Sequence, residues 1–184
     1  MDKTLTGICC GLAILAIGLG PGAARGEPSV GDIYFARYSV VLPPPLADDG
    51  YFFHLSEPAL ISVEALYASA SSSLGWYAHD TQYILMDPLS VGMTVEFWTE
   101  SGAFGLWLIT HYGEDYECFS DPLLNGGVER LRVYGTPLPE QYFLAWEDCA
   151  SVDGDFNDVV LIGSHFALTS VLDLDWGVVK SYYR

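Results

Sequence analysis

The chain predicts an all-β fold: one antiparallel β-sandwich, jelly-roll-like, set behind a signal peptide. Two observations carry that expectation. Apolar, aromatic and β-branched runs recur roughly every ten to fifteen residues, the spacing of short strands in a sandwich. Turn residues separate them: Pro43-Pro44-Pro45, Asp48-Asp49-Gly50, Asp87-Pro88, Ser101-Gly102, Asn125-Gly126-Gly127, Pro137 and Pro139. Taken in order, the runs are Ile33–Leu42, Tyr51–Leu55, Leu60–Tyr67, Leu74–Tyr77, Tyr83–Met86, Met93–Trp98 and Phe104–Thr110. Tyr116–Phe119, Val128–Tyr134, Gln141–Trp146 and Val159–Leu168 follow. Only Ala59–Ala70 has apolar spacing that also suits a helix. No 20–50-residue repeat occurs.

The start of the chain is a targeting segment. Lys3 supplies a positive end, and Ile8–Leu19 form an apolar run too short to span a bilayer. Ala24-Arg25-Gly26 presents small residues where a signal peptidase reads, so cleavage is expected after Gly26, or after Ala24. The expected layout is therefore a signal peptide over 1–26, the sandwich over 27–168, and a C-terminal strand or tail over 169–184. The mature chain is expected to be secreted or held at the cell surface, with no membrane span. Losing Asp2, Lys3 and Arg25 leaves 23 of the 24 acids and 5 of the 7 bases, a net charge near −18. Nucleic acid and anionic membranes are poor partners for such a chain, since binding them takes clusters of Lys and Arg.

The most acidic stretch lies between the last two long runs. Glu147, Asp148, Asp153, Asp155, Asn157 and Asp158 put six oxygen-bearing side chains into twelve residues. If the four aspartates fold close together, each pair at ~4 Å costs up to roughly 4 kcal/mol at an effective dielectric of ~20. A compact loop then needs a cation, and hard oxygen donors favour Ca²⁺. Asp153-Gly154-Asp155-Phe156-Asn157 copies the first half of an EF-hand loop, but Asp158 stands where that loop needs Gly and Ser164 where it needs Glu. The alternative is a solvated Asp/Asn/Gly turn with no metal. Glu147 is the weakest ligand of the six, because strand alternation turns it away from Asp148. Cys118 and Cys149 are the pair left after export, and an oxidising compartment predicts a disulfide worth roughly 3–4 kcal/mol in the chain-entropy model.

Several of these stretches recur in a known order: Leu74-Gly75-Trp76-Tyr77, Gly102–Leu108, Phe119–Asn125, and Phe143-Leu144-Ala145-Trp146-Glu147-Asp148 followed by Asp153–Asp158. In that order and spacing the chain resembles the domain-of-unknown-function 4114 family of secreted bacterial proteins, over roughly Ile61 to Gly163. The resemblance implies a β-sandwich, a strand rather than a helix at Ile61–Tyr67, and calcium in the Asp/Asn loop. It also implies a place at cell surfaces or in extracellular matrix. The family's C-terminal sorting tail has no counterpart in Asp173–Arg184, and the Cys118/Cys149 pair is not part of its motif.

No Gly-x-Ser-x-Gly, His-Glu-x-x-His or phosphate-cradling glycine loop occurs, and His54, His79, His111 and His165 fall one to a segment. An enzyme is therefore not expected. A glycoside hydrolase with paired carboxylates is the residual catalytic possibility. The favoured role is a non-catalytic structural or adhesive module whose partner is matrix, a cell-surface protein or a glycan. The alternative is a carbohydrate-binding module, with Trp76, Tyr77 and Trp107, and also Trp98 and Tyr112, stacking on sugar rings. Aromatics at alternating positions more commonly fill a sandwich core.

Overall fold

The computed structural model describes residues 26–46, 51–68, 70–78, 81–100, 102–149 and 153–170. The expected signal peptide up to residue 25 and the tail from residue 171 lie outside the described residues, as do His79 and residues 150–152 of the acidic loop. One helix, α1 (Val30–Tyr38), precedes nine strands: β1 (Tyr51–Leu66), β2 (Ser71–Ala78), β3 (Thr81–Met86), β4 (Thr94–Phe97) and β5 (Gly105–Tyr112) come first. β6 (Glu114–Phe119), a 3₁₀ turn (Pro122–Asn125), β7 (Leu131–Gly135), β8 (Gln141–Trp146) and β9 (Val159–Ser170) complete the order. A five-stranded sheet, β4-β1-β9-β8-β7, packs on a four-stranded sheet, β3-β2-β5-β6. Every pairing is antiparallel, so the fold is the expected β-sandwich.

Alternation along the strands sorts side chains between three apolar layers. Leu144 and Trp146 of β8, Leu161 of β9, Leu74 of β2 and Leu106 and Leu108 of β5 meet between the sheets. Phe143, Ala145, Val160 and Ile162 point the other way, where Ile33 and Tyr34 of α1 cover them. On the far side of the smaller sheet, Phe52, Tyr77, Ala103 and Trp107 form a third cluster. Here Tyr77 pairs across from Gly105, and Trp107 from Gly75. A Cβ at Gly105 would lie 2.1 Å from the Tyr77 ring, and one at Gly75 would lie 2.4 Å from Trp107. The two rings occupy the space that side chains at those glycines would take.

The structure changes two expectations. Ile33–Leu42 is not a strand: Val30–Tyr38 is helical. Ser29 and Asp32 form a capping box, with Ser29 Oγ accepting the Asp32 N–H at 3.2 Å and Asp32 Oδ2 accepting the Ser29 N–H at 3.1 Å. Ser39 ends the helix in the left-handed region, φ 57°, and its N–H bonds to the Phe35 carbonyl. Val30, Ile33, Tyr34 and Tyr38 then lie on one helical face against the larger sheet. Tyr51–Leu55 and Leu60–Tyr67 are likewise not separate strands but two parts of β1, whose register with β9 shifts between Leu55 and Leu60. Pro58 lies in that gap and has no N–H to give the ladder. Ile61–Tyr67 falls in β1 up to Leu66, as the resemblance implies.

The two sheets are also joined covalently. Cys118 of β6 and Cys149, just past β8, form a disulfide with Cα atoms 5.6 Å apart. Among the described residues no helix is long and apolar enough to cross a membrane.

Candidate metal centre

β8 and β9 are hydrogen-bonded neighbours from Gln141↔Ser164 to Trp146↔Val159, so Glu147–Asp158 is the loop that joins them. Its described residues from Asp153 onward close around Glu147 at the end of β8. Glu147 is fully buried, and its carboxylate accepts the N–H groups of Asp153 at 2.6 Å, Gly154 at 3.0 Å and Phe156 at 3.2 Å. Such wrapping needs left-handed backbone at Gly154 (φ 84°) and at Phe156 (φ 56°). The Phe156 ring enters the layer beneath α1, and the Arg132 guanidinium lies 3.8 Å over it.

Further along, Asp153 Oδ1 accepts the Asp155 N–H and Asp155 Oδ1 accepts the Asn157 N–H, each at 3.3 Å, giving two successive Asx turns. Asp158 Oδ2 accepts the Asp148 N–H at 2.8 Å and closes the neck of the loop. The Asp158 carbonyl takes the Tyr67 and Ala68 N–H groups, which ties the loop to the end of β1. Asn157 Nδ2 donates to the Pro28 carbonyl at 2.8 Å, next to the N-cap of α1.

These contacts gather four carboxylates. Glu147, Asp153, Asp155 and Asp158 each bring one oxygen within 4.8 Å of the others, with Glu147 and Asp158 buried and Asp153 and Asp155 exposed. At that spacing an uncompensated pair costs up to about 3.5 kcal/mol at an effective dielectric of ~20. Asp158 feels it: burial first, then the charges of Asp148, Glu147 and Asp155, push its carboxyl up to about 6 against the lowering bond from the Asp148 N–H. Asp155 is also raised, by burial and by Asp153, with the Asn157 N–H opposing.

The group fits a hard divalent cation. Oxygens held at about 2.0–2.6 Å from one ion lie no more than roughly 5 Å apart, as these do. Asn157 Oδ1 is buried without a hydrogen-bond partner among the described residues, a further oxygen beside Asp158. All the donors are oxygen, which disfavours zinc and copper.

Of the six residues singled out in the sequence, the structure joins Glu147, Asp153, Asp155 and Asp158. Asp148 is not in that group; its backbone serves the neck, with the N–H on Asp158 and the carbonyl accepting from Arg130 Nη1 at 2.5 Å. Glu147, the weakest ligand by strand alternation, is the hub. Glu147 lies just past the end of β8, and the N–H groups of Asp153, Gly154 and Phe156 close on its carboxylate. Among the stacking candidates, Tyr77 and Trp107 are 3% exposed, and Trp107 Nε1 donates to the Trp76 carbonyl. Trp76 is half-buried, whereas Trp98 and Tyr112 are exposed.

One constellation escapes the sequence altogether. Ser73 Oγ lies 2.9 Å from His111 Nε2, and His111 Nδ1 lies 2.7 Å from Asp115 Oδ1. Serine, histidine and aspartate at those distances have the geometry of a hydrolase triad. Ser73, however, is 1% exposed and donates its proton to Asp87 Oδ1 at 2.6 Å. With the hydroxyl proton on Asp87, His111 is not placed to receive it. Asp87, Ser73, His111 and Asp115 form a polar row across the smaller sheet.

Comparison with protein families, with characterised proteins and with solved structures finds no match in any of the three.

Proposed function

We propose that the chain is an exported, non-catalytic β-sandwich whose β8–β9 loop binds one Ca²⁺, serving as a structural or adhesive module at a cell surface or in extracellular matrix. The observation that carries this reading is the convergence of four carboxylate oxygens within 4.8 Å on one loop. A loop so built is under electrostatic tension unless a cation sits among the oxygens, and calcium suits their hardness. Its place supports a structural role: the loop ties β8 and β9 to the end of β1 and to the start of α1. Export is supported by the Lys3…Ile8–Leu19…Gly26 pattern and by the Cys118–Cys149 disulfide, a bond that oxidising compartments preserve. The resemblance to the domain-of-unknown-function 4114 family points the same way.

The test is melting temperature against calcium. Wild-type protein should gain stability by RT ln(1 + [L]/Kd), about 2.7 kcal/mol at a hundredfold excess over Kd. Asp155→Ala should lose most of that gain, and magnesium at equal concentration should give less. Equal melting of both proteins with calcium and with chelator would reduce the loop to a turn. N-terminal sequencing of material recovered outside the cell tests export, with Glu27 expected as the first residue and Met1 contradicting it.

A further inference from the structure

β3 of the smaller sheet and β4 of the larger one, each the outermost strand of its sheet, come into contact at one edge of the sandwich. A groove of about 490 Å³ lies between them, lined by Trp76, Tyr83, Ile84, Trp98, Thr99 and Glu100. Tyr83 is 49%, Trp98 50% and Ile84 60% exposed, so three large apolar groups stay in water on one concave surface.

We propose that this groove binds a short neutral oligosaccharide. Its platform is rigid: Tyr83 and Trp76, opposite each other on β3 and β2, stack with ring centroids 4.4 Å apart and planes 19° from parallel. Trp76 is braced edge-on by the buried Phe104, at 6.1 Å and 77°. One face of the Tyr83 ring is thus taken up by Trp76, and the groove opens beside the pair. A flat, electron-rich aromatic face attracts the polarised C–H groups on the face of a sugar ring. Trp98, just past β4, adds a second indole to the lining. Glu100, exposed at the groove, brings a carboxylate that accepts hydrogen bonds from hydroxyl groups.

Charge and shape select among ligands. The lining carries a carboxylate and no Lys or Arg, in a chain of net charge −17, so uronic or sulfated glycans are repelled. A quaternary ammonium is held best where several ring faces enclose it. Here Trp76 and Tyr83 each cover one face of the other, so they cannot both turn a face onto one small cation, while the uncovered face of Tyr83 and the Trp98 indole remain for a sugar chain. The site shares no residue with the acidic loop, so it stands or falls separately from calcium binding.

The experiment titrates wild-type protein, with calcium present, with cellotetraose, xylotetraose and mannotetraose, following tryptophan fluorescence and heat. At least one should bind and shift the fluorescence. Trp98→Ala and Tyr83→Ala should each weaken that binding tenfold or more, Tyr83→Phe should retain it, and Glu100→Gln should weaken it severalfold. Tyr112→Ala, an exposed aromatic outside the groove, should bind as wild type does. Melting temperatures of the variants, expected to match wild type, separate loss of binding from loss of fold. No binding of any of the three, binding indifferent to Trp98→Ala and Tyr83→Ala, or preference for choline or for a sulfated glycan would each overturn the proposal. Because calcium dependence is read from melting alone, its failure would be seen separately.

Discussion

The β8–β9 loop and the Asp87–Ser73–His111–Asp115 row both hold carboxylates in short hydrogen bonds, yet they arrange them differently. In the row, each acid faces a hydrogen-bonding side chain and not another acid: Asp87 the Ser73 hydroxyl, and Asp115 the His111 ring. In the loop, Glu147, Asp153, Asp155 and Asp158 face one another, and the bonds they accept come from backbone N–H groups. Such dipoles soften the repulsion without cancelling four charges. The lesson concerns what makes an acidic cluster a candidate metal site. Short hydrogen bonds to carboxylates are common to both; carboxylates that converge on one another belong to the loop.

The largest expected effect comes from removing the hub. Glu147→Ala leaves three N–H groups in the loop without their acceptor; that of Phe156 is buried and its loss costs about 1–3 kcal/mol, while those of Asp153 and Gly154, on exposed residues, can turn to water. Denaturant unfolding should show a loss of about 1–3 kcal/mol, with calcium or without it. Glu147→Gln sharpens the comparison, because it retains an acceptor oxygen but removes charge. In chelator it should unfold close to wild type, and in calcium it should show little gain. A full calcium response in Glu147→Gln would detach the hub from the metal.

Next comes pH. An unfolded aspartate releases its proton near 3.9, whereas folded Asp158 keeps it up to about 6. The folded state therefore binds more protons between those values. In metal-free protein the Asp158 contribution is full at low pH and is lost as pH rises from about 4 to 6. Calcium requires the ionised carboxylate, so its affinity should climb over the same window and level off above it. Melting from pH 4 to 7, with calcium and with chelator, reads both slopes. Asp158→Asn should reduce both, leaving the smaller part due to Asp155, and an unchanged slope in that variant would put the titration elsewhere.

The smallest effect is expected in the row. Asp115 is exposed, and Asp115→Asn should cost less than about 1 kcal/mol, the ordinary worth of a surface pair. Its calcium response should equal that of wild type. A large loss, or a changed calcium response, would erase the contrast between the clusters.

How far the sequence alone reaches differs between these regions for a physical reason. The loop is local: its ligands are neighbours along the chain, and Asp, Gly and Asn announce the turn. The row is not local. Ser73, His111 and Asp115 come from three strands, and only the register Ser73↔Ile109 and His111↔Asp115 brings them together. The groove is hidden for the same reason, since β3 and β4 approach only as edges of different sheets. Glu147 shows the limit of strand periodicity, since it lies just past the end of β8, where the N–H groups of later residues close on its carboxylate. The missed helix had a readable signal in Ser29-x-x-Asp32, which the apolar run from Ile33 masked. Most strand positions were legible because alternation and turns are themselves local.

The most direct measurement is equilibrium dialysis of chelator-stripped protein against calcium, counting ions bound per chain. One Ca²⁺ is expected per wild-type chain, one per Asp115→Asn chain, and none at the same free calcium for a chain carrying both Glu147→Gln and Asp155→Asn. No bound calcium in the wild type, or undiminished binding in the double variant, would contradict it.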